Sequence, residues 1–95
     1  MISAKKINGM RVVTADAFTV GEVDGLEVDQ KTWNVTHLDI ELSDESLREL
    51  GFKKPLLGAI RICLPVSHIN KFGDVITLKS DLAHLKGLDA CKKSK

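Results

Sequence analysis

Three side chains in one short stretch could do chemistry together: His37, Asp39 and Glu41, spaced two residues apart. If the stretch is extended, this spacing puts all three on one face, with neighbours about 6.5–7 Å apart. An imidazole and two carboxylates are metal ligands. One strand, however, holds them in a line rather than around a common ion, so a metal would need further ligands from neighbouring strands. A metal-dependent enzyme is therefore the weakest of three functional readings. Cys63 and Cys91 form no CxxC and have no adjacent His pair, and neither His68 nor His84 has a cysteine partner at nucleophile spacing. Ser67-His68 is adjacency only, since geometry makes a triad. Gly21-x-x-x-Gly25 lacks the Lys-Ser/Thr that a phosphate-binding loop needs and does not open a helix. The expectation is no catalytic residue, no metal and no cofactor. Cys63 reads as a small core residue and Cys91 as an exposed thiol, both reduced in a cytosolic protein.

The elements that position these residues read mainly as strands. Asn8-Gly9 is a turn signal before a short apolar strand at 10–14, and residues 16–19 turn the chain. A long strand follows over 20–29, with Val20, Val23, Leu26 and Val28 as its apolar positions. Its alternation slips at Gly25, which predicts a bulge or sharp bend there. After a turn at 30–32, residues 33–42 alternate: Leu38, Ile40 and Leu42 point to the core, and His37, Asp39 and Glu41 point outward. Trp33 and Val35 share the parity of the polar set and form an apolar spot at one end of an acidic outer face. Ser43 is an N-cap for a short helix around 44–50 that Gly51 stops. A strand at 56–64 puts Ile60, Ile62 and Leu64 on one face and Ala59, Arg61 and Cys63 on the other. Pro65 ends it, and a turn or helical corner follows at 66–70. The last strand, 74–79, carries Ile76 and Leu78 inward. Ser80-Asp81 caps a C-terminal helical turn through Leu82, Leu85 and Leu88. Short strands with bends at Gly25 and Pro65 predict a mainly β fold, a small, strongly curved antiparallel barrel over residues 1–88, with 89–95 a flexible basic tail.

Composition sets limits on partners. The chain has 95 residues, 43% hydrophobic and 28% charged, which suits one soluble globular domain. Aromatics are only 4%, with no Tyr, so a base-stacking RNA platform is poorly supplied. No apolar run is long enough to span a membrane, and the first 30 residues lack a signal-peptide core, so the cytoplasm is the expected compartment. Lys92, Lys93 and Lys95 hold three of the 14 cations; residues 1–91 keep 11 against 13 acids, net −2. Nucleic-acid binding wants clustered cations on a folded face, and here the balancing cations lie near the ends. Residues 22–41 carry six acids and one base, Lys31. A docking face for a basic partner is the functional reading of that hairpin.

The segment Val20-Gly21-Glu22-Val23 followed by Asp29 resembles the signature of PRC-barrel domains, named after the cytoplasmic part of the photosynthetic reaction-centre H subunit. Leu64-Pro65-Val66-Ser67-His68-Ile69 and Gly73-Asp74-Val75-Ile76-Thr77-Leu78 are similar to the family's closing strands, and residues 2–13 to its opening. The order and spacing of these pieces carry the resemblance over about residues 2–80. The family often has Gly in the first turn, where this chain has Ala17-Phe18, and again near Trp33, so those two turns are expected to differ in shape. The helical insertion at 43–55 and the short length resemble stand-alone archaeal members. The resemblance implies a non-enzymatic adaptor, a homodimer or a heterodimer with a paralogue, that works with the anchor SepF in FtsZ-based cell division. It implies no catalytic residue. A second branch carries the barrel in a ribosome-maturation factor, which keeps an RNA- or ribosome-associated module as the alternative. The expected partner-binding residues are Trp33, Val35, His37, Asp39, Glu41 and Arg61. Arg61 is expected to pair with an acidic strand of a second subunit. The expected location is cytoplasmic, at the division site through a membrane-bound partner, with no membrane insertion and no nucleic acid.

Overall fold

Alternating apolar residues build six strands: β1 (Arg11–Val13), β2 (Thr19–Val28), β3 (Val35–Leu42), β4 (Arg61–Pro65), β5 (Ile69–Phe72) and β6 (Ile76–Leu78). They form one curled half-barrel sheet in the order β4-β3-β2-β1-β6-β5 in the computed structural model, which describes residues 1–53 and 58–85. The start of the expected fourth strand, Leu88, Cys91, the boundary at 88 and the basic tail lie outside the described residues. The fold is the mainly β, curved architecture expected, with one departure from antiparallel order: β1 and β6 run parallel, with Val12 beside Ile76.

The inward faces meet as read from the alternation. Val12, Val20, Leu38, Ile40, Ile62, Leu64, Ile76 and Leu78 are essentially fully buried. Across β2, β3 and β4 the rung Val23–Ile40–Ile62 runs through this core. Each such side chain contributes about 1.5–3 kcal/mol on leaving water, which is what closes so short a chain around one centre.

Two short helices seal the ends of the sheet. The helix α1 (Ala4–Ile7), which the alternation did not suggest, is capped by Ser3, whose side chain accepts the Lys6 N–H at 3.1 Å, and it sends Ile7 into the core. The helix α2 (Asp44–Leu50) has the N-cap read for it: Ser43 Oγ accepts the Ser46 N–H at 3.2 Å. Gly51 ends it at φ 86°, a left-handed cap that costs glycine nothing. Ser46 is fully buried yet satisfied, its hydroxyl donating to the Val20 carbonyl at 2.6 Å and so tying α2 to β2.

The corner after Pro65 is shorter than expected. A 3₁₀ turn spans Val66–His68 and the chain at once re-enters the sheet as β5, where a turn was expected through residue 70. Only Ile69 of β5 is even partly buried, so the segment carries no inward alternation to read; its pairing with β6 makes it a strand. A second 3₁₀ turn, Leu82–Leu85, buries Leu85 at the expected C-terminal helical turn.

Candidate protein-interaction surface

The long β2–β3 hairpin positions every candidate residue. Its tip is held by Asp29, whose carboxylate accepts the N–H groups of Lys31 (2.8 Å) and Thr32 (3.4 Å). The Asp29 N–H donates to the Asn34 carbonyl at 2.8 Å, and the Trp33 N–H donates to the Asp29 carbonyl at 2.7 Å. Closing the loop this way puts Trp33 at φ 64° and leaves the residue 83% exposed. Trp33 therefore belongs to the loop, not to β3 as its parity suggested.

Ala17, at φ 68°, is the other non-glycine residue with positive φ among those described. Ala17 and Trp33 mark the two turns where the resemblance leads one to expect glycine. Both residues take a glycine-like conformation, so the missing glycines have not moved these positions out of the left-handed region. A left-handed residue with a Cβ costs roughly 1–2 kcal/mol, so the tip carries strain to hold an aromatic in water.

Val35 also departs from its expected face. On β2–β3, Glu27 pairs with His37 while Val28 pairs with Val35, so Thr36 is an extra residue in the ladder. A bulge of this kind breaks the period of two. Val35 leaves the side of His37 and, with Leu38, lines an open groove beside β5.

The outer face reads in rungs across β2, β3 and β4. Glu41 stands between Glu22 and Arg61, Asp39 between Gly25 and Cys63, and His37 between Glu27 and Pro65. The expected bulge is present, at Asp24 beside Gly25. Gly25 has a spatial role: a Cβ there would stand 3.1 Å from Asp39 Oδ2. Burial pushes the Asp39 carboxyl up to about 6; its side-chain hydrogen bond with Glu27 and the charges of Glu27 and Asp24 add to the shift, and Arg61 opposes it. The Cys63 Sγ lies 3.6 Å from Asp39 Oδ1. His37 Nδ1 sits 2.9 Å from the Thr36 hydroxyl.

Arg61 faces outward as expected, but its guanidinium pairs with Asp24 of its own chain. The bulge that swings Asp24 out of the ladder supplies this local carboxylate, so Arg61 needs no second subunit to find one. Asp24 and Glu27 are thus the residues a reading of single strands passed over; the acidic run signalled them, and only strand pairing brings them to Asp39.

No three His, Cys, Asp or Glu groups among the described residues converge as a metal cage. No helix among them is long and apolar enough to cross a membrane. The class defined is a small curled-sheet domain whose distinguishing surface is a charged hairpin with an apolar tip. A family model described as the PRC-barrel domain matches residues 1–85, and the chain belongs to that family. No curated protein matches the chain. PRC-barrel domains are generally non-catalytic and often serve as protein-interaction modules.

Proposed function

We propose that the chain is a non-enzymatic protein–protein adaptor that engages a basic partner through the β2–β3 hairpin. The observation that carries this reading is Trp33: a single tryptophan, almost wholly in water, in a backbone conformation that costs stability. Folding alone gives no reason to keep it there, whereas exposed tryptophans are preferred anchors at interfaces. From the tip along the outer face of the hairpin, Asp29, Glu27, Asp39 and Glu41 supply the negative field that draws a basic surface and sets its on-rate, with His37 beside Glu27 and Arg61 beside Glu41. Val35 contributes from the side of the hairpin that faces the groove. The same field repels a phosphate backbone, which counts against the RNA-associated alternative.

The resemblance to stand-alone archaeal members supports a finer setting: a homodimer, or a heterodimer with a paralogue, in FtsZ-based division, recruited from the cytoplasm to the division site by a SepF-like membrane-bound anchor. The test is retention of the full chain on immobilised SepF from the source organism. Retention of the wild type and loss of the Trp33→Ala, Val35→Glu double variant is the expected result. Equal retention of both rejects these anchors, and no retention of the wild type rejects the division setting.

A further inference from the structure

The acidic hairpin has a counterpart of opposite polarity. An open groove of about 480 Å³ lies between α1, the start of β3 and β5. Its floor is apolar, built from Ile2, Ile7, Val35, Leu38, Ile69 and Phe72, and none of its lining side chains is acidic. Phe72 at 42% and Val66 at 36% leave apolar surface open to water. The charge at the groove is positive. Lys71 lines it, and Lys5 and Lys6 stand exposed on α1, the helix whose Ile7 forms part of the floor.

Along one wall of the groove runs an open strand edge. Among the described residues β5 pairs only with β6, so one row of backbone donors and acceptors over Ile69–Phe72 faces away from the sheet. On the opposite wall β3 outruns β4. The last rung is His37 with Pro65, so among the described residues Val35 and Thr36 have no strand partner on that side. Exposed strand edges take up further strands; main-chain hydrogen bonds give affinity, and alternate side chains enter pockets. An added strand here would send every second side chain toward an apolar floor and hold the others near lysines.

We propose that this groove is a second docking site that takes an extended acidic peptide segment as a strand added to β5. Apolar side chains of that segment enter the floor over Ile69 and Phe72, and its carboxylates meet Lys71, Lys5 and Lys6. The inference rests on the adaptor reading and deepens it: hairpin and groove become two sockets of opposite charge, so one molecule bridges two unlike partners.

The test uses the full chain and a fluorescein-labelled peptide, Glu-Val-Glu-Val-Glu-Phe-Glu, with the same peptide carrying Lys for Glu as the comparison. Saturable binding of the acidic peptide is expected by anisotropy, with the basic peptide weaker by about tenfold or more. Lys71→Glu should weaken the acidic peptide by about tenfold, and Lys71→Arg should stay within about twofold of wild type. Amide exchange should slow over residues 69–72 and not over 22–29. Absence of saturable binding overturns the proposal, as does binding that ignores Lys71→Glu and leaves the 69–72 amides unprotected. Trp33→Ala should leave peptide binding unchanged; a loss there would place the peptide on the hairpin and overturn the groove. Peptide bound in the groove by a chain that SepF does not retain would keep this site and sink the division setting instead.

Discussion

Asp39 lies across the sheet from Gly25, and its Oδ2 occupies space 3.1 Å from where a Cβ on residue 25 would stand. The missing side chain lets the carboxylate settle onto β2 next to Glu27 and within reach of the charge on Asp24. Burial first, and these neighbouring carboxylates after it, push a carboxyl that ordinarily titrates at 3.8 up to about 6 in the folded chain. The folded state holds this proton more tightly than the unfolded chain does. Asp39 thus lowers stability as pH rises from about 4 to about 6, and its effect is flat above that.

Asp39→Asn should raise stability at about pH 7.5 by about 1 kcal/mol, the gain being limited by solvent screening of a partly exposed group. At about pH 4.5 the gain should shrink, because the wild-type carboxyl is already protonated. Urea unfolding of both proteins at the two pH values checks it, and an equal gain at both would contradict the assignment.

Ala17→Gly and Trp33→Gly should each leave stability unchanged or raise it by up to about 1 kcal/mol, the relief of left-handed strain outweighing the freedom glycine gains in the unfolded chain. The two variants should part in partner retention, which Trp33→Gly loses and Ala17→Gly keeps. Thermal melts paired with the capture assay measure both. A loss of several kcal/mol in Trp33→Gly would mean that the ring packs on the fold.

Gly21→Ala should be among the most damaging small substitutions. A Cβ at residue 21 would stand 2.0 Å from the Glu41 carbonyl oxygen and 3.1 Å from the Leu42 Cα, both backbone atoms of the paired strand. The ladder cannot yield as a side chain does, so the cost should reach or exceed the upper end of the roughly 1–3 kcal/mol usual for overpacking. Denaturant midpoints against the wild type test it. The resemblance places this glycine in the family signature, and the contact gives a steric reason for it.

Ser46→Ala should cost about 0.5–1.5 kcal/mol, because it removes one of the two donors to the Val20 carbonyl, the Ser43 N–H at 3.0 Å remaining, and loosens α2 from β2. Ser46→Thr keeps the hydroxyl but adds a methyl to a fully buried site, so it should not recover the loss completely. Equilibrium unfolding of the two variants separates hydrogen bonding from volume.

The β alternation in β2, β3, β4 and β6, the caps at Ser43 and Gly51 and the inward set Leu38, Ile40, Ile62 and Leu64 were all legible in the residue order, because each depends on neighbours a few positions away. The slip at Gly25 was legible for the same reason. The acidic hairpin could be seen as charge, but its pairs could not. Arg61 meets Asp24 and Asp39 meets Glu27 only through the register of three strands. The second bulge, at Thr36, leaves no mark in the alternation, yet it moves Val35 from the carboxylate face into the groove. β5 has no inward pattern of its own and becomes a strand because β6 is there to pair with it. Residue order thus determined that the segments of β2, β3, β4 and β6 extend and which of their faces seek the core. Tertiary pairing decided which charges meet, where Val35 ends up and that a strand edge lies open beside the groove, since each of these depends on distances between residues far apart along the chain.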